Sequence, residues 1–483
     1  MSLTGFTGDA SHPHRENPSQ KISQTPENLA GTESGFSVSI ALPAGKPNRK
    51  RGCTQGWRQM LQINMTARRP QDEPVVITGI GMVTSVGEDR ESTWSAIRSG
   101  TSGVKRLDGS STPPGLHLGA VVDTVEMLPK QLKVIRLAHI AAEEALEDAC
   151  LDLNAVDGSR FGCAVSGHMG DWRWLRQYHG HEAPDSSTDV SNWEQWLPNS
   201  GCWSIAEKYG LYGPRICHST ACASGLIDVM SAVRSIRDNQ CDLAIAGSAE
   251  AIDPLFAAGF QKMRVLADAE NPAAACRPFD RSRSGFVMGE GSAMFVLERL
   301  SHALARNAKI YAEIAGGKMM ADAHHITGLD MESESLTRLI RETLQRAKLE
   351  PRDIGYINAH GTGTTQNDVM ETRGIRRAFG IHADDLCVSS LKAMLGHLVN
   401  ASGSVELALT TLALRDGFVP PTLNLTDPDP ECDLDCIPLV GQQRPVKSAL
   451  KLALAFGGHL VAVAVNRWDD AQTGVGEPIR RAA

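Results

Sequence analysis

Three segments of this chain share one layout: an apolar strand runs into a turn of small residues and then into a helix, and each turn carries a chemically reactive side chain. The first is Ile216-Cys-His-Ser-Thr-Ala-Cys-Ala-Ser-Gly225, after which Leu226, Val229, Met230, Val233 and Ile236 continue at helical spacing. The second is Ile354-Gly-Tyr-Ile-Asn-Ala-His360-Gly-Thr-Gly-Thr364, with a helix expected from about Asn367. The third runs from Val388 through Lys392 and His397 to Gly403, with a helix expected near Ser402. A strand, tight turn and helix in that order belong to an α/β fold, and they hold a turn residue on a rigid support at a helix N-terminus.

The rest of the ordered chain follows the same grammar. It starts at the strand Val75–Thr78 and the loop Gly79–Thr84. A helix is expected over Lys130–Ala149, and further strands over Ile216–Thr220, Asp242–Ala246, Ala293–Leu297, Ile354–Asn358, Leu386–Ser390 and Leu460–Val465. With 483 residues, 42% of them hydrophobic, the chain can bury a large core. It has no apolar run of roughly 18 residues and no secretory leader pattern, so neither a membrane span nor export is expected, and the expected location is cytoplasmic.

Residues 1–72 hold nine Lys/Arg against five Asp/Glu, which leaves about −12 of the net −8 on the remainder. That acidic body argues against nucleic acid as a partner. The 1–72 segment is rich in Ser, Thr, Gly and Pro, has no hydrophobic period, and reads as a disordered or non-native extension. Residues 468–483 read as a flexible tail.

The eleven cysteines are scattered without a CxxC pair, which points to neither a disulfide framework nor a zinc knuckle. His179 and His181 lie in a polar stretch with no third ligand, and no metal is expected. On position alone a cysteine before a helix is more often a small buried hydrophobe, and Cys163, Cys217 and Cys241 fit that description. Cys222 differs by its company. A thiol at a helix N-terminus is biased towards thiolate, and two histidines in glycine-framed turns are suited to acid–base and oxyanion work beside it. The His360 turn lacks both a Walker A pattern and a complete GxGxxG, so a phosphate cradle is the weaker reading.

These residues resemble the β-ketoacyl-acyl-carrier-protein synthases of the decarboxylating Cys-His-His type (KAS I/II) over about residues 74–467. The resemblance is carried by VVITGIGMVTSVG at Val75–Gly87, TACASG around Cys222, RPFDRSRSGFVMGEG at Arg277–Gly291, NAHGTGT around His360, SSLKAMLGHLVNASG around Lys392 and His397, and AFGG at Ala455–Gly458. It implies a thiolase fold, two similar halves in a five-layer αβαβα core. The halves are placed at 73–308, with the nucleophile, and 309–467, with both histidines, although no internal sequence repeat is visible.

The same resemblance implies a decarboxylative Claisen condensation in fatty acid or polyketide elongation. Cys222 would carry the acyl chain, and His360 and His397 would bind the malonyl thioester oxygen. Lys392, paired with Glu371, would tune the charge. The backbone N–H groups of Cys222 and Phe456 would form the oxyanion hole, with Phe456 as gate. Thr362 and Thr364 would hold the phosphopantetheine arm of acyl carrier protein, simple turn stabilisation being their other reading. No bound cofactor is needed. Lys130, Lys133, Arg136 and Arg264 are candidates for docking the acidic carrier, and a homodimer, or a heterodimer, is implied.

The chain departs from the family in its last motif, where Leu454, Ala455, His459 and Leu460 replace the usual residues, and in the aromatic stretch holding Trp172, Trp174, Trp193, Trp196 and Trp203. A noncatalytic chain-length-factor-like subunit is the rival reading. Such subunits usually lack the nucleophile. Priming synthases and thiolases favour Cys-His-Asn or paired cysteines, which this chain does not match.

Overall fold

The computed structural model describes residues 73–107, 116–126, 131–168, 195 and 197–469. Ten strands form the main sheet system: β1 (Val75–Thr84), β2 (Phe161–Gly167), β3 (Arg215–Ile216), β4 (Leu243–Glu250), β5 (Gly291–Arg299), β6 (Ala312–Ala321), β7 (Ile354–Asn358), β8 (Cys387–Ser389), β9 (Ser448–Ala455) and β10 (His459–Arg467). Their spatial order is β8-β7-β9-β10-β6-β1-β5-β4-β2-β3.

That order is a duplication. On one side β1 runs antiparallel to β5, β5 antiparallel to β4, and β4 and β2 parallel to their outer neighbours. On the other side β6, β10, β9, β7 and β8 repeat the same sequence of antiparallel and parallel pairings. Among the described residues the two five-stranded sheets join through the short pairing of Val76 and Ile77 with Glu313 and Ala312.

Six helices complete the layers: α1 (Lys133–Asp148), α2 (Ser200–Tyr209), α3 (Ser224–Arg237), α4 (Glu334–Ala347), α5 (Thr365–Phe379) and α6 (Ser402–Asp416). Helices α3 and α6 touch each other and both sheets, α1 and α2 cover the outer face of the first sheet, and α4, with α5 against it, covers the second. The result is the five-layer thiolase fold with two similar halves. Helix α6 is buried along almost its whole length, which is why its sequence is apolar all round rather than striped. The outer helix α4 instead buries Leu336, Leu339, Ile340 and Leu344 on one face.

Two expected elements differ. The glycines of Gly79–Thr84 do not end β1, which continues to Thr84. They are glycines because α1 lies against the strand: a Cβ on Gly79 would sit 2.2 Å from Ala145 O, and one on Gly81 2.0 Å from Ala141 O. Conversely, the strand expected over Ile216–Thr220 stops at Ile216, because Cys217–Thr220 turn away to build the cysteine loop. Among the described residues no helix is long and apolar enough to cross a membrane. The readings made for 1–72, for His179 and His181, for Lys130, for Trp172, Trp174, Trp193 and Trp196, and for the tail beyond Asp469 fall outside the described residues.

Candidate active site

Cys222 lies in a single 3-10 turn, Ala221–Ala223, that leads into α3. Ala221 takes a left-handed φ of 46°, a strained conformation for an alanine. Ser224 holds the turn closed: its Oγ accepts from Thr220 N–H at 3.0 Å and lies 2.8 Å from Ala221 O.

The third segment uses the same device in the other half. Val399–Ala401 form a 3-10 turn that leads into α6, and Val399 has φ 37°. The counterparts align as Ala223-Ser-Gly225 and Ala401-Ser-Gly403, a short internal repeat not seen in the sequence alone. The two glycines face each other across the centre of the molecule. A Cβ on Gly225 would meet Ser404 N at 2.9 Å, and one on Gly403 would meet Leu226 N at 2.9 Å.

His397 is held by backbone bonds to the Gly285–Gly291 motif, His397 N–H to Val287 O at 2.6 Å and Gly289 N–H to His397 O at 2.9 Å. Its ring packs edge-to-face with that of Phe286, centroids 4.9 Å apart. Its Nε2 is 3.0 Å from Cys222 Sγ and its Nδ1 2.8 Å from Ser402 Oγ.

His360 follows β7, and its ring stands 5.4 Å from that of His397 at 80°. The sulfur and one nitrogen of each ring all lie within 4.8 Å of one another, and all three residues are buried. His360 Nδ1 has no hydrogen-bond partner among the described residues.

The charged support differs from the expected one. Glu371 does not pair with Lys392. Its carboxylate accepts the backbone N–H groups of His360 (2.6 Å) and Gly361 (2.7 Å), so α5 holds the histidine turn in place. Lys392 instead donates to His360 O at 2.6 Å and to Glu406 Oε1 at 2.8 Å. Glu406 forms a second ion pair, at 2.6 Å, with Lys451.

Glu406, Lys451 and Ser402 were not anticipated. A usable signal exists for the first two. Glu406 is the lone acid early in the apolar helix SVELALTTLAL, and Lys451 is the lone charge in the strand SALKLALA. Opposite charges placed in fully buried elements must find each other.

Burial and the ammonium groups of Lys392 and Lys451 hold both histidines well below the usual imidazole range, and therefore neutral. Burial also pushes the Cys222 thiol up to about 12 against the opposing pull of Lys392. The resting pair is thus thiol and neutral imidazole. The thiolate bias expected from the helix N-terminus is outweighed by loss of solvent.

Cys222, His360 and His397 line one cleft enclosing about 1000 Å³ of space open to solvent. Thr362, Thr364, Arg264 and Phe456 line it too. Phe456 occupies the turn of the β9–β10 hairpin, where Gly457 N–H donates to Ile326 O and Asp322 N–H to Gly458 O, both at 2.7 Å. The Thr362 and Thr364 hydroxyls are 2.8 Å apart. Arg264 is exposed at the mouth. Lys133, another docking candidate, has its ammonium paired with Glu290 at 2.5 Å rather than free at the surface. Arg136 lies along α1, donates to Glu126 O at 3.3 Å, and does not line the cleft.

A buried thiol touching one imidazole beside a second, backed by cations and opening on an apolar cleft, is suited to covalent acyl transfer. Comparison with known families agrees. Residues 72–125 and 129–303 match the family model of the β-ketoacyl synthase N-terminal domain, and 311–426 that of its C-terminal domain. The chain belongs to the β-ketoacyl synthase family.

The synthase is 38% identical over 400 residues to 3-oxoacyl-[acyl-carrier-protein] synthase 2 of Coxiella burnetii, covering 80% of this chain and 96% of the relative. It is 36% identical to the ketoacyl synthase alpha subunit of the tetracenomycin polyketide synthase of Streptomyces glaucescens, covering 83% and 98%. Among solved structures, a type II polyketide ketosynthase in complex with its acyl-carrier protein and bound to the hexaketide aligns with TM-score 0.77 at 33% identity, over 82% of this chain and all of that one. A β-ketoacyl synthase from Burkholderia phymatum aligns with TM-score 0.74 at 29% identity, over the same shares. The synthase is a condensing acyltransferase of fatty acid or polyketide elongation.

Proposed function

We propose that the synthase condenses an acyl group held on Cys222 with a malonyl group delivered on acyl carrier protein, each arriving on a phosphopantetheine arm. The observation that carries this reading is the 3.0 Å contact between Cys222 Sγ and His397 Nε2 at the head of the cleft.

In the first half-reaction His397 takes the Sγ proton as the sulfur attacks the thioester carbon. The backbone N–H groups of Cys222 and Phe456 receive the oxyanion, and the leaving carrier thiolate recovers the proton. In the second, His360 and His397 donate to the malonyl thioester oxygen while the carboxylate leaves as carbon dioxide. The enolate carbon then attacks the Cys222 thioester. The displaced Cys222 thiolate takes up a proton, and a β-ketoacyl carrier is released.

In this reading Thr362 and Thr364 hold the pantetheine and Arg264 meets the acidic carrier. Burial together with Lys392 and Lys451 keeps both rings neutral, and Glu371 fixes the His360 turn. Residues 73–308 and 309–467 are taken as the two halves, and the working form is a cytoplasmic homodimer.

The test is incubation with an acyl carrier thioester followed by mass spectrometry and malonyl condensation. An acyl adduct on Cys222 and a product two carbons longer are expected, with both lost in Cys222→Ala at unchanged circular dichroism. An unmodified Cys222 across a broad acyl panel would favour a noncatalytic partner subunit.

A further inference from the structure

The two half-molecules place a serine at the same point, the first residue of a central helix, yet use it differently. Ser224 Oγ is engaged by its own turn, through Thr220 N and Ala221 O, and lies 2.9 Å from Asn400 Oδ1. Ser402 Oγ faces the far nitrogen of the catalytic ring, His397 Nδ1, at 2.8 Å, and both residues are all but sealed from solvent. His360, the other ring of the site, has no such partner on its Nδ1 among the described residues.

The ring of His397 is surrounded on every packed side. Cys222 comes from the turn before α3, His360 from the turn after β7, Lys392 from the short helix Lys392–Leu395 and Lys451 from β9. Glu406 of α6 sits between the two lysines, and Glu250 of β4 acts on Cys222 from the first sheet. Two nearby ammoniums make a protonated ring costly, and an orienting group on Nδ1 offsets part of that cost.

We propose that Ser402 is a positioning residue for His397: its hydroxyl accepts from Nδ1–H and so leaves Nε2 bare, aimed at the Cys222 proton. Only that proton then moves. It passes from Sγ to Nε2 as the new C–S bond forms, and from Nε2 to the departing carrier thiolate as the old C–S bond breaks. Throughout acylation the other ring proton stays on Nδ1, hydrogen-bonded to Ser402 Oγ. For the second half-reaction His397 presents Nε2–H in its other tautomer, Nε2 gaining a proton from water as Nδ1 releases its own to water; the Ser402 hydroxyl then donates to the bare Nδ1, which an acceptor-only carboxylate could not do. The division of labour follows: His397 is the proton acceptor of acylation, and His360 acts only as a donor in the second half-reaction.

This inference rests on Cys222 being the nucleophile, but its test needs no carrier protein. The rate of Cys222 alkylation by iodoacetamide is followed by peptide mass spectrometry from pH 6 to 10 in the full chain. Ser402→Ala is expected to slow alkylation at pH 7 by about tenfold, the factor carried by one hydrogen bond to a charged ring, and to move the pH midpoint upward. Ser402→Thr, which keeps the hydroxyl, is expected within about threefold of the parent. In a His397→Ala background, adding Ser402→Ala is expected to change nothing further. Identical pH profiles for the parent and Ser402→Ala would overturn the proposal. So would equal losses in the alanine and threonine variants, or a Ser402→Ala effect that persists without His397. If alkylation follows the expected pattern while no condensation is found with any acyl carrier, the functional reading fails and the role of Ser402 stands.

Discussion

Glu406 lies between Lys392 and Lys451 with one carboxylate oxygen for each ammonium, all three side chains buried. Two cations against one anion leave a positive residue of charge beside His360 and His397, which adds to burial in keeping the rings neutral. Removing the anion leaves two buried ammonium groups with dipolar partners, Asn358 Oδ1 and the carbonyls of Asn358, His360 and Ala359. Glu406→Ala is therefore expected to lower stability by ~3–5 kcal/mol in urea denaturation, the range for breaking one buried ion pair. An unchanged midpoint would mean that the carboxylate is not the counter-ion it is taken to be. Cys222, His360 and His397, which the structure brings within 4.8 Å of one another, could be singled out in the sequence because each sits in its own local turn motif. Glu406 and Lys451 were not, because their pairing is a contact between a helix and a strand far apart in the chain.

At the scale of elements, the central pair α3 and α6 sets how closely the two active turns approach. Gly225 lies at their crossing, where a Cβ would stand 2.3 Å from Ser248 Oγ and 2.9 Å from Ser404 N. Neither neighbour can withdraw freely, since Ser404 N is backbone and Ser248 Oγ is bonded to Ser404 Oγ at 2.7 Å. Gly225→Ala is expected to destabilise by ~1–3 kcal/mol through overpacking, despite the better helix propensity of alanine. It should also slow Cys222 acylation, because the cysteine turn must shift with the helix. A melting temperature equal to or above the parent's would refute the close approach. The glycines of β1 show the converse limit of sequence reading. Gly79 and Gly81 looked like loop residues, but the neighbour that demands them is a helix far along the chain, met at Ala145 and Ala141.

Across the whole molecule, the halves are linked near the site by Glu250 of β4, whose Oε2 accepts from Asn400 N at 3.0 Å and Asn400 Nδ2 at 2.8 Å. Burial pushes the Glu250 carboxyl up to about 8 from an ordinary value of 4.5. A raised folded value means that the native state binds the proton more tightly than the unfolded chain. The associated stability is fully present below about 4.5 and is lost as pH rises through about 8. The parent is thus expected to lose a few kcal/mol relative to Glu250→Gln between pH 5 and pH 8.5, read as a narrowing gap in urea midpoints. A constant gap would mean that the carboxyl titrates normally.

By itself the sequence determined the α/β class and the three turns that carry Cys222, His360 and His397, because these depend on local order: small residues at a turn, apolar residues at helical or strand spacing. The thiolase layering came from family resemblance rather than from any pattern of residues. Only the tertiary structure decided that the cysteine and His397 turns are counterparts in a duplicated fold. It also decided that Glu406 rather than Glu371 balances Lys392, that Lys133 pairs with Glu290, and that Ser402 meets His397. Each is a contact between segments whose separation along the chain says nothing about their separation in space. Burial, which moves the thiol and both imidazoles away from their solution behaviour, exists only once those segments have packed.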